Sequence, residues 1–216
     1  MGSCSDNGYY YECSLRAGTF SIDWMIRKMF KTVPTPDIYL KLEKDAEQIP
    51  AGSDGLFYLP YLCGAMNPYW DVNARGAFIG LSPSHSRGHI YRAILEGIGF
   101  EQLFAISSVE KAIGTKVKEL VVIGGGAKSK LWCSILADVT GKTIGIPENA
   151  EASGLGAAIA AAVGAGWFRT FKEAAKEMTG SCLTLKPDPK NHKTYSQSFG
   201  LYRKLYPALK RAGFYC

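Results

Sequence analysis

The sequence is poor in the residues that build metal and redox sites. Three histidines (His85, His89, His192) supply no zinc-ligand spacing. Six cysteines (Cys4, Cys13, Cys63, Cys133, Cys182, Cys216) lie far apart, with no Cys-x-x-Cys pair. That excludes a dithiol motif and leaves reduced thiols in a cytoplasmic protein as the expectation; no metal ligand is expected. Long apolar runs are missing too. The most apolar segment, Leu155 to Phe168, is too short to cross a bilayer and, being rich in Ala and Gly, reads as a buried helix. Met1 to Tyr10 is polar, so no signal peptide and no membrane partner is expected. The net charge of +6 is spread along the chain, with a modest cluster at Arg203-Lys204 and Lys210-Arg211. Without a concentrated basic stripe, nucleic acid is not an expected partner.

What is present suits a globular α/β protein. At 216 residues, 47% of them apolar and 20% charged, the chain can bury a sizeable core. No repeat or linker divides it, so one domain over residues 1–216 is the simplest organisation. Tyr9 to Leu15 reads as a strand that Gly18 and Thr19 break, and Ser21 to Phe30 as an amphipathic helix. Ile38 to Ile49 reads as a more exposed helix, and Leu56 to Leu62 and Ala77 to Leu81 as strands. Between those strands, the loop from Cys63 to Arg75 is long enough to suggest a functional or interfacial role. Within it, Trp70 is either a core anchor or a contact residue.

Ser86 to Ile113 is the longest helical stretch, with an apolar stripe; Gly97 and Gly99 within it predict a close contact with a neighbouring element. From residue 118 onward the order strand, helix, strand, helix implies parallel pairing. The strands are Leu120 to Ile123 and Thr143 to Pro147, with a small-residue helix over Ala152 to Ala165. Thr170 and Glu173 form a capping-box pattern, and Tyr195, Phe199, Tyr202, Tyr206 and Leu209 mark a core-facing helix near the end.

The most informative segment is Leu120-Val121-Val122-Ile123-Gly124-Gly125-Gly126-Ala127-Lys128-Ser129-Lys130-Leu131-Trp132. An apolar strand runs into three glycines and then a helix. Bare backbone and a helix N-terminus together favour an electron-rich ligand such as phosphate. Two nucleotide motifs fail on detail. Gly141-Lys142-Thr143 ends like a Walker loop, but Leu136 stands where the first glycine belongs. A Rossmann fingerprint would need Gly or Ala where Ser129 stands. A third option is the adenosine-side loop of the actin-like ATPase fold, with Ala152 to Ala158 as a second small-residue element.

Gly124 to Trp132, Ala137-Asp138 and Glu151-Ala152-Ser153-Gly154-Leu155-Gly156-Ala157-Ala158 resemble the C-terminal domain of FGGY carbohydrate kinases. Pro68-Tyr69-Trp70-Asp71-x-Asn73-Ala74-Arg75-Gly76 and the run from Gly76 through His89 to Glu96 match the family in the same order. The resemblance covers roughly residues 9 to 209 and is nearest to xylulokinase and related pentulose kinases. It implies an α/β, actin-like (ribonuclease H-like) domain, the C-terminal half of a two-domain sugar kinase. It also implies ATP, with Mg²⁺ carried by the nucleotide, as cofactor.

By resemblance, Gly125, Gly126, Ala127 and Lys130 lie at the nucleotide, and Gly18 and Asp23 fall in a second lining segment. There the spacing to Trp24 is one residue longer than in the family, and Asp23 replaces a glutamine. The sugar-binding domain, the catalytic aspartate and the phosphate loop are expected to lie before residue 1, which leaves no catalytic residue in this chain. Asp54 and Asp71 read as turn or structural carboxylates. Sugar substrate is then expected to reach the site through that N-terminal domain, and the resemblance admits a homodimer. The functional expectation is the ATP-binding domain of a kinase for a sugar hydroxyl, a pentulose by resemblance, inactive alone. A stand-alone nucleotide-binding or regulatory module, and an assembly module that has lost the nucleotide, are the alternatives.

Overall fold

The computed structural model of the chain describes residues 10–148 and 151–215. Its first helix, α1 (Gly18–Trp24), runs straight into a π-helical turn, Met25–Met29, and buries Ile22, Met25 and Ile26. Gly18 and Thr19 therefore open the helix rather than break the chain. At the first helical position an amide needs no partner, so glycine's poor propensity costs least there. The strand expected over Tyr9 to Leu15 does not form in its described part, Tyr10 to Leu15. Aromatic composition favours a strand only where a second strand offers its edge. Helix α2 (Pro36–Glu47) starts on Thr35, whose hydroxyl oxygen accepts the Ile38 N–H at 3.4 Å, with Pro36 in the first turn. Strand β1 (Phe57–Leu59) pairs antiparallel with β2 (Ala77–Ile79), Tyr58 opposite Phe78.

Helix α3 (Arg87–Ile113) is the spine of the molecule. Over Gly88 to Glu101 it is buried nearly all round rather than along a stripe, because α1, α2, α4 and β1 all pack against it. Gly97 explains part of that fit. A Cβ there would lie 2.3 Å from the Tyr58 carbonyl oxygen, so only glycine lets α3 meet β1. The buried charges of α3 are saturated. Arg92 donates to Glu96 at 2.8 Å, to Tyr195 at 2.9 Å and to the Ala46 carbonyl at 3.1 Å. Glu96 also accepts from Tyr195, Ser53 and the Gly52 N–H. One turn and a residue further on, Glu101 accepts the hydroxyls of Tyr61 and Tyr202, each at 2.7 Å.

The second half carries the predicted parallel unit. Strand β3 (Glu119–Val121) pairs parallel with β4 (Thr143–Pro147). The connection between them is a 3₁₀ turn, Gly125–Lys128, and α4 (Lys130–Thr140). Strand β5 (Cys182–Leu185) adds to β4 antiparallel, a pairing the strand–helix alternation does not foretell. Cys133 and Ala137 of α4 seal Ile144 beneath one face of this sheet.

Helix α5 (Ala152–Gly164) forms as predicted, but the expectation that it is buried fails. Only Ala162 is buried in it, and α6 (Phe171–Met178) is its main neighbour. Small residues allow close packing without supplying a partner to pack against.

Helix α7 (Pro189–Arg211) turns Tyr195, Tyr202 and Tyr206 into the core, the face its sequence predicts. Asp188 caps it by accepting the N–H groups of Lys190 and Asn191. In the long loop, Tyr69 rather than Trp70 is the anchor. Tyr69 stacks on Tyr206 at 3.7 Å between ring centroids, while Trp70 is 68% exposed.

Candidate functional site

The site begins at the end of β3. Gly124 has φ 74° and ψ −158°, a region open in practice only to glycine, and it swings the chain into the 3₁₀ turn. The N–H groups of Gly125 and Gly126 open that turn and have no partner inside it. Ser129 closes the turn and caps α4, its hydroxyl oxygen accepting the Trp132 N–H at 3.1 Å. Beneath lies Cys133, whose thiol sits 3.8 Å and 3.9 Å from the carbonyl oxygens of Gly126 and Ala127. Burial pushes that thiol up to about 11, so it stays a neutral prop for the loop.

The last two glycines of the run differ in purpose. A Cβ on Gly126 would fall 2.9 Å from the Trp132 ring, so Gly126 is needed for packing. One on Gly125 would meet nothing within 4 Å.

The glycine turn faces α1 and α2 across a cleft of about 710 Å³. That falls within the usual range for a small-molecule site. Thr19, Phe20, Ile22 and Asp23 line it from α1, Pro36, Tyr39, Leu40 and Glu43 from α2, and Tyr91 from α3. The opposite wall is Gly125, Gly126, Lys128, Ser129 and Trp132. Phe20 and Leu40 are about half exposed at 52% and 57%, which makes them the apolar lips of the cleft. In the Trp132 wall the indole N–H is buried without a hydrogen-bond partner.

Charge is divided between the walls. Asp23 and Glu43 lie on one side and Lys128 on the other. Asp23 accepts the Tyr39 hydroxyl, and burial together with the Asp23 carboxylate pushes that phenol up to about 12.

Of the residues singled out in the sequence, the cleft brings together Asp23, Gly125 and Gly126. Gly18 stands just before the lining stretch of α1, Ala127 is buried behind the turn, and Lys130 is exposed at the start of α4 outside the lining. Lys128 is the cation that reaches the cleft. Sequence reading missed Tyr39, Glu43 and Tyr91 in this role. Their only signal was two bulky residues, Phe20 and Leu40, lying off the core faces of α1 and α2.

Four other side chains turn out to be fastenings. Lys142, the lysine of the Walker-like ending, pairs with Glu110 at 2.5 Å. Asp138 accepts the Asp188 N–H at 2.7 Å and the Asn191 amide at 2.9 Å, tying α4 to the start of α7. Asp71 accepts from Tyr206 and Lys210 at 2.7 Å and 2.8 Å, and Asp54 meets His89 at 3.0 Å.

A parallel strand–turn–helix unit facing a cleft roofed by preceding helices is the α/β architecture of the actin-like ATPase fold, as found in sugar kinases. Residues 1–165 match the family model described as "FGGY family of carbohydrate kinases, C-terminal domain". The chain belongs to that family.

It is 36% identical over 205 residues to the xylulose kinase of Bacillus subtilis (strain 168), covering 95% of this chain and 40% of that protein. Among solved structures, the ligand-bound xylulose kinase from Lactobacillus acidophilus superimposes with a TM-score of 0.79 at 31% identity, covering 90% of this chain and 38% of that one. The gluconate kinase from the same organism gives 0.78 at 31% identity, covering 89% and 38%. This chain thus spans about 40% of the length of the relatives it matches.

Proposed function

We propose that this chain is the nucleotide-binding domain of a sugar kinase, and that ATP, with Mg²⁺ carried on its phosphates, occupies the cleft between the glycine turn and α1–α2. The observation that carries the reading is the convergence of Asp23 with Gly125 and Gly126, segments far apart in sequence, on one cleft of nucleotide size. Bare backbone at Gly125 suits a phosphate or ribose, and the walls of Phe20, Leu40 and Trp132 suit a base.

Among the described residues no trio of carboxylate, histidine or cysteine side chains converges to hold a metal. Mg²⁺ characteristically binds through substrate phosphates with few protein ligands, which supports its arrival with the nucleotide. Gly125, Gly126 and Asp23 are the contacts we propose; Ala127 supports the turn from behind, and Gly18 and Lys130 flank the site.

The reaction is phosphoryl transfer from ATP to a sugar hydroxyl. Such transfer depends on positioning and charge stabilisation, so it needs a base and a bound sugar as well as the nucleotide. Asp54, Asp71 and Asp138 are committed to structural bonds, which supports a base and a sugar site supplied by a separate N-terminal domain. The xylulose kinases among the relatives support a pentulose as the sugar. The experiment is to assay ADP release with D-xylulose, for the purified chain alone and for the chain joined to the N-terminal portion of the Bacillus subtilis xylulose kinase. Turnover only in the joined protein is expected. Sugar-dependent ADP release from the chain alone would contradict the division of labour.

A further inference from the structure

On the helix side of the cleft, Tyr91 and Glu43 present polar ends that no described residue engages. Tyr91 on α3 is 2% exposed and lines the cleft, yet no described residue hydrogen-bonds its hydroxyl. Glu43 on α2 lines the same cleft, half-buried, and no described residue forms a hydrogen bond or ion pair with its carboxylate. Every other buried or half-buried acid nearby is occupied: Asp23 by Tyr39, Glu96 by Arg92 and Tyr195, Asp138 by Asn191 and the Asp188 N–H. Burial, followed by the neighbouring Glu43 and Tyr39, raises the Tyr91 phenol, so it is a neutral donor at working pH. Their polar ends open on the cleft, since the Trp132 indole N–H is the one fully buried side-chain donor left unmatched among the described residues, so both are free to bond a ligand that enters it.

Charge decides which end of the ligand they meet. A carboxylate repels a triphosphate, whereas Lys128, on the opposite wall and without an ion-pair partner among the described residues, attracts it. Building on the nucleotide site proposed above, we infer that Glu43 and Tyr91 form the nucleoside-recognition end of the cleft. Glu43 accepts an N–H or O–H of the nucleoside, Tyr91 adds a neutral hydrogen bond, and Lys128 marks the phosphate side. The donor on the ligand is either an exocyclic amine of the base or a ribose hydroxyl; both offer the same chemistry.

The test is calorimetric binding of adenosine and of MgATP to the chain and to three variants, with thermal melting as the check on folding. A hydrogen bond to a charged group predicts that Glu43→Ala weakens adenosine and MgATP alike, by roughly ten- to a hundredfold. Tyr91→Phe, which keeps the ring and removes only the hydroxyl, should weaken both by about two- to tenfold. Lys128→Ala should weaken MgATP and leave adenosine unchanged. In the parent chain, 2′-deoxy-ATP loses the Glu43-dependent part if the donor is the ribose. The 6-unsubstituted purine triphosphate loses it if the donor is the amine.

Tighter MgATP binding by Glu43→Ala, or unaltered adenosine binding by both Glu43→Ala and Tyr91→Phe, would overturn the inference and leave the nucleotide site standing. Absence of any nucleotide binding by the folded parent chain would overturn both.

Discussion

At the scale of single residues, neighbouring glycines in one run do different work. Gly125 projects toward open space and Gly126 toward the Trp132 ring. Gly125→Ala should therefore melt within a few degrees of the parent while narrowing the cleft and weakening ATP by about tenfold or more. Gly126→Val should instead lower thermal stability by overpacking against Trp132, at about 1–3 kcal/mol. Urea denaturation beside nucleotide titration separates the two.

Arg92 offers a second test. Leucine in its place would leave the Glu96 carboxylate buried without its cation, and loss of one partner of such a pair costs about 3–5 kcal/mol. Replacing Arg92 and Glu96 together with apolar residues should recover part of that loss, measured by the same denaturation.

Elements show how much the sequence disclosed, and why the rest stayed hidden. Helices α2, α3, α4 and α7 and strand β4 were legible because caps, breakers and periodicity are local signals. The Gly97 contact was legible as well, since a glycine inside a long helix needs a reason. Burial of α5 was not, because hydrophobic composition does not reveal whether a neighbour exists. The cleft was half legible. The glycine turn announces itself in one stretch, while Tyr39, Glu43 and Tyr91 join it only through the packing of α1 and α2 on α3.

The exposed α5 leads to its own prediction. With α6 as its main support, its amides should exchange with solvent much faster than those of the first half of α3, in hydrogen-exchange mass spectrometry. The end of α3 carries a pH signature. Hydrogen bonds from Lys142 first and Lys116 second, against a smaller effect of burial, hold Glu110 down at about 2, from an ordinary 4.5. A depressed carboxylate stabilises the fold above its unfolded value, and that contribution disappears as pH falls from about 4.5 toward 2. Glu110→Gln should flatten this part of the acid-unfolding curve.

On the scale of the whole molecule, α3 organises one core and the α4-covered sheet a smaller one, with the cleft where the glycine turn of the second faces the helices of the first. Asp138 and Lys142 keep these parts in register, through α7 and the end of α3 respectively. Residues that a motif search would single out, such as the Walker-like Lys142, are thereby committed to joining these parts. The proposed division of labour follows: this half positions a nucleotide, and chemistry needs the groups another domain presents. The most direct test is a map of amide NMR shifts as the folded chain is titrated with MgATP to roughly 1 mM and beyond. The account predicts saturable shifts centred on Gly125, Gly126, Asp23 and Tyr91. Shifts centred elsewhere, or none from a folded chain, would contradict it.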